Sequence, residues 1–105
     1  MVVKTVKHSK EEMELYAAFL KLETTEECYR FFRDLCTPAE IDAMKERWRI
    51  VTLLKAGHSY RKIHELSGSS IATIGRVARF LSQEDYGGYR LLLDRMKEGE
   101  KMTDE

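Results

Sequence analysis

Proline is nearly missing from this chain, with Pro38 alone among 105 residues, and glycine is scarce at six. A turn-dense β architecture needs more of both, so the shortage points to helices joined by short connections, an all-α fold. Long apolar runs are missing as well. No stretch reaches the 18 or so consecutive apolar residues of a membrane-spanning helix, and no charged-then-apolar leader with a cleavage site opens the chain. A soluble, cytoplasmic protein with no membrane partner is therefore expected. Cysteine is limited to Cys28 and Cys36. Both fall in an apolar helical pattern without CxxC or Cys/His ligand spacing, so they read as buried free thiols, and no metal site is expected. The chain also lacks the parts of an enzyme. It has no glycine-rich phosphate loop, no paired inward carboxylates and no nucleophile beside a base, and His8, His58 and His64 sit at polar or turn positions without matched partners. No catalytic residue is expected.

Charge is plentiful, and it is sorted along the chain. Eighteen basic and eighteen acidic residues cancel overall. By segment, residues 1–10 carry three lysines and no acid (+3), and 11–42 carry three basic and nine acidic residues (−6). Residues 43–83 carry eight and two (+6), and 84–105 carry four and seven (−3). A charge block alone is ordinarily a solvated face. The spacing inside 43–83 decides whether it is more.

At 105 residues the chain fits a single domain over 1–105 and lies near the lower end of what buries a self-sufficient core, which leaves room for an obligate partner subunit. Residues 1–8 and 99–105 are expected to be a flexible arm and tail. Between them the pattern predicts about six helices. A first helix runs from Ser9 to about Leu22, with an apolar set (Met13, Leu15, Tyr16, Phe19, Leu20, Leu22) too wide for one stripe, so it wants contacts on more than one side. A second follows Thr24 and Thr25, with Cys28, Phe31, Phe32, Leu35 and Cys36 at core spacing. The third opens with a capping box: Thr37 caps, Pro38 suits the first helical position and Glu40 closes the box. Ile41, Met44, Trp48, Val51 and Leu54 follow as its inner face until Gly57.

A short fourth helix, Tyr60 to Leu66, is capped by Ser59, with Ile63 and Leu66 inward. Ser67, Gly68 and Ser69 make the turn. The fifth helix is expected to bury Ile71, Ile74, Ala78 and Leu81, and the last runs roughly from Asp85 to Glu98. Two short helices around a glycine-containing turn match the helix-turn-helix pattern. A recognition helix enters the DNA major groove by its N-terminal end, so its outward residues there are small or short and polar, while neighbours supply hydroxyls and cations to phosphates. Ser69, Ser70, Ala72, Thr73 and Gly75 suit the first need. Ser59, Tyr60, Arg61, Lys62, Arg76 and Arg79 suit the second. An αα-corner in a helical core, with the serines as mere caps, is the bland alternative.

The words LCTPAEIDAMKERWRIVTLLKAG and SYRKIHELSGSSIATIGR, within residues 35–81, resemble the Trp repressor superfamily, in particular its TrpR-related YerC/YecD branch. The shared motifs are LCTP with a following acid, Arg47-Trp48-Arg49-Ile50-Val51, and Ile71 to Arg76 as IATI-x-R. The resemblance implies a six-helix all-α subunit, an intertwined homodimer, and two helix-turn-helix units reading a palindromic operator in double-stranded DNA as a regulator of transcription, most simply a repressor. It implies a base-reading role for Arg61 and contacts to base edges and phosphates at Ile71, Ala72 and Thr73. The chain departs from the family where a threonine is Gly75 and a lysine is His64.

For the corepressor pocket, the resemblance implies an effector site at Thr37, Arg47 and Arg76, with Val77 where the family has glycine, Phe80 where it has serine and Asp34 where it has leucine. The added bulk is expected to fill the pocket, so that DNA is bound with no cofactor and without tryptophan, or with a different small ligand. A second class of function stays open at this point: a helical, dimeric protein-interaction module that uses the basic face without DNA specificity.

Overall fold

The computed structural model describes residues 9–103, with side chains through residue 99, and among them the regular elements are six helices and no strand. In chain order they are α1 (Lys10–Phe19), α2 (Thr25–Leu35), α3 (Pro38–Lys55), α4 (Tyr60–Ser67), α5 (Ile71–Ser82) and α6 (Gly88–Thr103).

Local chemistry explains where each helix begins. Ser9 Oγ accepts from the Glu12 amide at 3.2 Å and Thr24 Oγ1 from the Glu27 amide at 3.0 Å, each satisfying a donor that the first turn cannot. The expected capping box of α3 is reciprocal: the Glu40 amide donates to Thr37 Oγ1 at 3.2 Å, and the Thr37 amide donates to Glu40 Oε1 at 2.7 Å.

The described residues form two compact units that divide within α3, one of residues 9–44 and one of 45–103. In the first, Phe19, Phe31 and Phe32 form a ring cluster with centroids 5.2–5.8 Å apart, yet α1 and α2 bury no residue fully. Cys28 and Cys36 are free thiols, half-buried rather than buried. In the second unit, Ile50, Val51, Ile63, Ile74 and Val77 make a closed core, with Trp48, Leu53, Leu54, Tyr89 and Leu93 packed around it.

Several expected details differ. The first helix stops at Phe19, because the amides of Lys21 and Leu22 turn back to the carbonyls of Ala18 and Phe19, three residues earlier, tightening the chain out of α geometry. The last helix starts at Gly88 rather than Asp85, after Gly87 takes φ 70°, and its backbone continues past Glu98 to Thr103. The proposed arm at 1–8 and the last two residues of the tail lie outside the described residues. The inner face of α5 is rotated: Ile74 and Val77 are buried, while Ile71 is 52% exposed. Three residues is close to one turn, so Val77 follows Ile74 into the core. In α3 the closed core takes Ile50 beside Val51, and Met44 is exposed.

Candidate nucleic-acid interface

The α4–α5 pair is built by short-range hydrogen bonds around a three-residue turn. Ser59 Oγ accepts from the Lys62 amide at 3.2 Å and starts α4. Gly68 ends it in the left-handed region at φ 76°, where glycine carries no side-chain penalty, and its amide donates to the His64 carbonyl at 2.9 Å. Ser67 Oγ donates to the Ile63 carbonyl at 2.6 Å and accepts from the Ser69 amide at 3.1 Å. The His64 ring Nδ1 lies 2.7 Å from the Ser69 carbonyl oxygen. Ser70 then caps α5, accepting from the Thr73 amide at 3.1 Å and donating its hydroxyl to Thr73 Oγ1 at 3.0 Å. Ile63 and Ile74, fully buried, pin the two helices to the same core.

The outer face is basic and thin. Tyr60, Arg61, Lys62, His64, Ser70, Ile71, Ala72 and Arg76 are exposed, and Thr73 and Gly75 are half-buried. The Arg61 side chain is 91% exposed and meets Glu65 at 3.7 Å, a surface pair too solvated to hold it back from another partner. Arg79 meets Glu84 at 3.4 Å. A methyl group added at Gly75 would find nothing within 4 Å, so no packing inside the chain requires glycine there. Ser69 departs from the expected contact set. Its side chain is 2% exposed and turned into the interior, its amide and carbonyl are both engaged within the turn, and it has no polar atom to offer a ligand outside.

The second set of candidate residues also comes together in the 45–103 unit. Arg47, Arg76, Val77 and Phe80 line a cavity of about 380 Å³, together with Tyr86, Gly87, Gly88 and Tyr89. Val77 and Phe80 form its wall and do not fill it. The Arg76 guanidinium lies over the Phe80 ring, 4.5 Å from the centroid, and that of Arg79 lies 5.2 Å from the same ring. Such stacking draws a cation to the electron-rich ring face. Thr37 is not among the lining residues and belongs to the 9–44 unit, where it caps α3.

Residues 10–97 match the family described as Trp repressor protein. The chain belongs to the Trp repressor family. It is 45% identical over 93 residues to the uncharacterised protein YerC of Bacillus subtilis (strain 168), a match covering 87% of this chain and 86% of YerC. Among solved structures, it is similar to a candidate Trp repressor from Staphylococcus aureus, with 42% identity, a TM-score of 0.80, and 86% and 89% of the two chains covered. It is also similar to a TrpR-like protein from Eubacterium eligens ATCC 27750, with 34% identity, a TM-score of 0.79, and 85% and 91% covered.

Trp repressor family members are helix-turn-helix DNA-binding regulators and not enzymes. In this member, the helix-turn-helix lies where the motif spacing placed it, with α5 as the second, exposed helix. Sequence reasoning missed the contribution of residues 86–89 to the cavity. The signal available was the Gly87-Gly88 pair between tyrosines, a break that lets the chain turn from α5 into α6 and brings both rings to the cavity wall. Among the described residues, no helix is long and apolar enough to cross a membrane, and no group of three or more His, Cys, Asp or Glu residues is placed to hold a metal ion.

Proposed function

We propose that this protein is a sequence-specific transcriptional regulator, acting as a repressor, whose homodimer binds a two-fold symmetric DNA site with α4–α5 of each protomer in successive major grooves. The observation that carries the reading is the exposed face of that pair. Arg61, Lys62, Arg76 and Arg79 share α4–α5 with the short residues Ser70, Ala72 and Gly75, while Glu65 and Glu84 pair with Arg61 and Arg79. Cations and helix N-termini suit phosphates, and small residues let the helix approach base edges. Arg61 is the residue for a guanine edge.

Dimerisation is supported by the apolar surface that one chain leaves open. Met13, Leu15, Tyr16 and Leu20 of the α1 region, Tyr29 and Leu35 of α2, and Leu91, Leu92 and Met96 of α6 are all exposed. A soluble monomer rarely shows so much, and a second copy is the partner that supplies a matching surface. A two-fold pair sets its recognition helices about 34 Å apart, one DNA turn.

The dimer binds DNA without tryptophan. One face of the Arg76 guanidinium already carries the chain's own Phe80 ring, and an indole stacking on that face would have to displace it. Site selection from random duplex DNA by the purified protein, with and without L-tryptophan, tests the whole reading. Enrichment of a palindrome in both conditions is expected. A selected site that appears only with tryptophan would overturn the ligand-free part, and failure to enrich any sequence would overturn the DNA reading in favour of a protein-interaction module.

A further inference from the structure

We infer that His64 is a positioning residue for DNA reading: its ring fastens the lead-in of α5 to α4 through the Ser69 carbonyl, and that bond fixes which ring nitrogen carries the hydrogen. The inference rests on the DNA-binding role of α4–α5 proposed above and names what holds that pair in its working geometry.

A carbonyl oxygen only accepts, so at 2.7 Å the Nδ1 of His64 must donate. In the neutral ring the hydrogen therefore sits on Nδ1, leaving Nε2 with a lone pair. The bond joins residues five apart across Gly68, which is left-handed and has the widest conformational freedom in the segment. His64 grips the turn twice, since its own carbonyl accepts the Gly68 amide at 2.9 Å. The Ser69 residue is held from both ends, by Ser67 Oγ at its amide and by the His64 ring at its carbonyl. That carbonyl belongs to the peptide leading into Ser70, the cap of α5, so its orientation sets the direction in which α5 starts. His64 is itself exposed and is not a member of the closed core.

The test compares His64→Asn, His64→Gln and His64→Ala in the full chain, on the selected duplex and on random duplex. Asparagine places an amide donor about where Nδ1 lies, whereas glutamine places it one bond further out. Helix propensity ranks these substitutions in the opposite sense, alanine best and asparagine worst, so a merely structural effect and the clamp predict opposite orders. Asn is expected to bind the selected site within about twofold of the parent, with Gln and Ala weaker by roughly two- to tenfold, the range of one net hydrogen bond. The salt slope should not change in any of them, because no phosphate-binding cation is removed. Imidazole ¹⁵N shifts of the parent protein should identify Nδ1 as the protonated nitrogen of the neutral ring. Amide exchange at Ser69 and Thr73 should quicken in Gln and Ala but not in Asn. An Nε2–H tautomer, or Asn binding as weakly as Ala, would overturn the inference. If the parent binds no DNA at all, the proposed function fails instead, and the tautomer and exchange measurements still decide the clamp.

Discussion

The Ser69 hydroxyl is enclosed at 2% exposure and has no hydrogen-bond partner among the described residues. An unpaired buried hydroxyl costs on the order of 1–3 kcal/mol relative to a site that does not need one. Ser69→Ala is therefore expected to stabilise the protein, by about 1 kcal/mol in denaturant unfolding, because the methyl group fits where the Cβ already lies and both backbone bonds of the residue remain. Gly75 presents the opposite balance between stability and function. It sits inside α5 with open space where a Cβ would be, so Gly75→Ala should add about 0.5–1 kcal/mol through helix propensity alone. If the missing side chain serves close approach to DNA, the same variant binds the selected duplex more weakly although it is more stable. A variant improved in both respects would place Gly75 away from the DNA.

Each helix terminus is a separable unit with its own energy. The reciprocal Thr37–Glu40 box satisfies two donors at the start of α3, and Thr37→Ala is expected to cost about 1 kcal/mol in thermal or denaturant unfolding. On the outer side of α4, Arg61 is nearly free in solution, held only by a solvated pair with Glu65. Arg61→Ala should therefore leave stability within about 0.5 kcal/mol of the parent and cost roughly 1–3 kcal/mol of affinity on the selected site, if the guanidinium pairs with a guanine edge. Equal loss on every duplex would assign it to a phosphate instead. The cavity beside α5 is lined from α3, α5 and the start of α6. There the Arg76 guanidinium lies against the Phe80 ring, and both side chains line the cavity.

At the scale of the whole molecule, net charge is zero, yet the helix-turn-helix region carries the surplus of cations. Four exposed cations per chain, Arg61, Lys62, Arg76 and Arg79, make eight in a dimer. With about −0.9 per phosphate neutralised, their joint effect on the slope of log affinity against log salt is at most about −7. A slope near zero would be incompatible with DNA as the partner. The apolar surface on α1, α2 and α6 bears on assembly. A homodimer that covers it should melt at a midpoint that rises with protein concentration, whereas a monomer's midpoint would stay constant. Sedimentation of the free protein gives an independent check, with a mass near twice 12.3 kDa expected.

The sequence by itself determined the all-α class, the order of six helices, the caps at Thr37 and Ser59, and the turn at Gly68. These depend on groups three to five residues apart, which the chain brings together whatever else it does. The family motifs were legible for the same reason, being contiguous words. Val51, Ile63 and Ile74 were legible as inward residues, but only the tertiary structure decided the rest of the closed set. Val77 entered the core and Ile71 stayed out, because burial depends on the angle at which α5 packs on α4 and α6, and a rotation of one residue changes the inner set. Ser69 moved from candidate contact to interior residue, and Tyr86 and Tyr89 joined Arg47 and Arg76, for a like reason. Their surroundings come from segments that meet only in the folded chain, and no local pattern records how closely those segments approach.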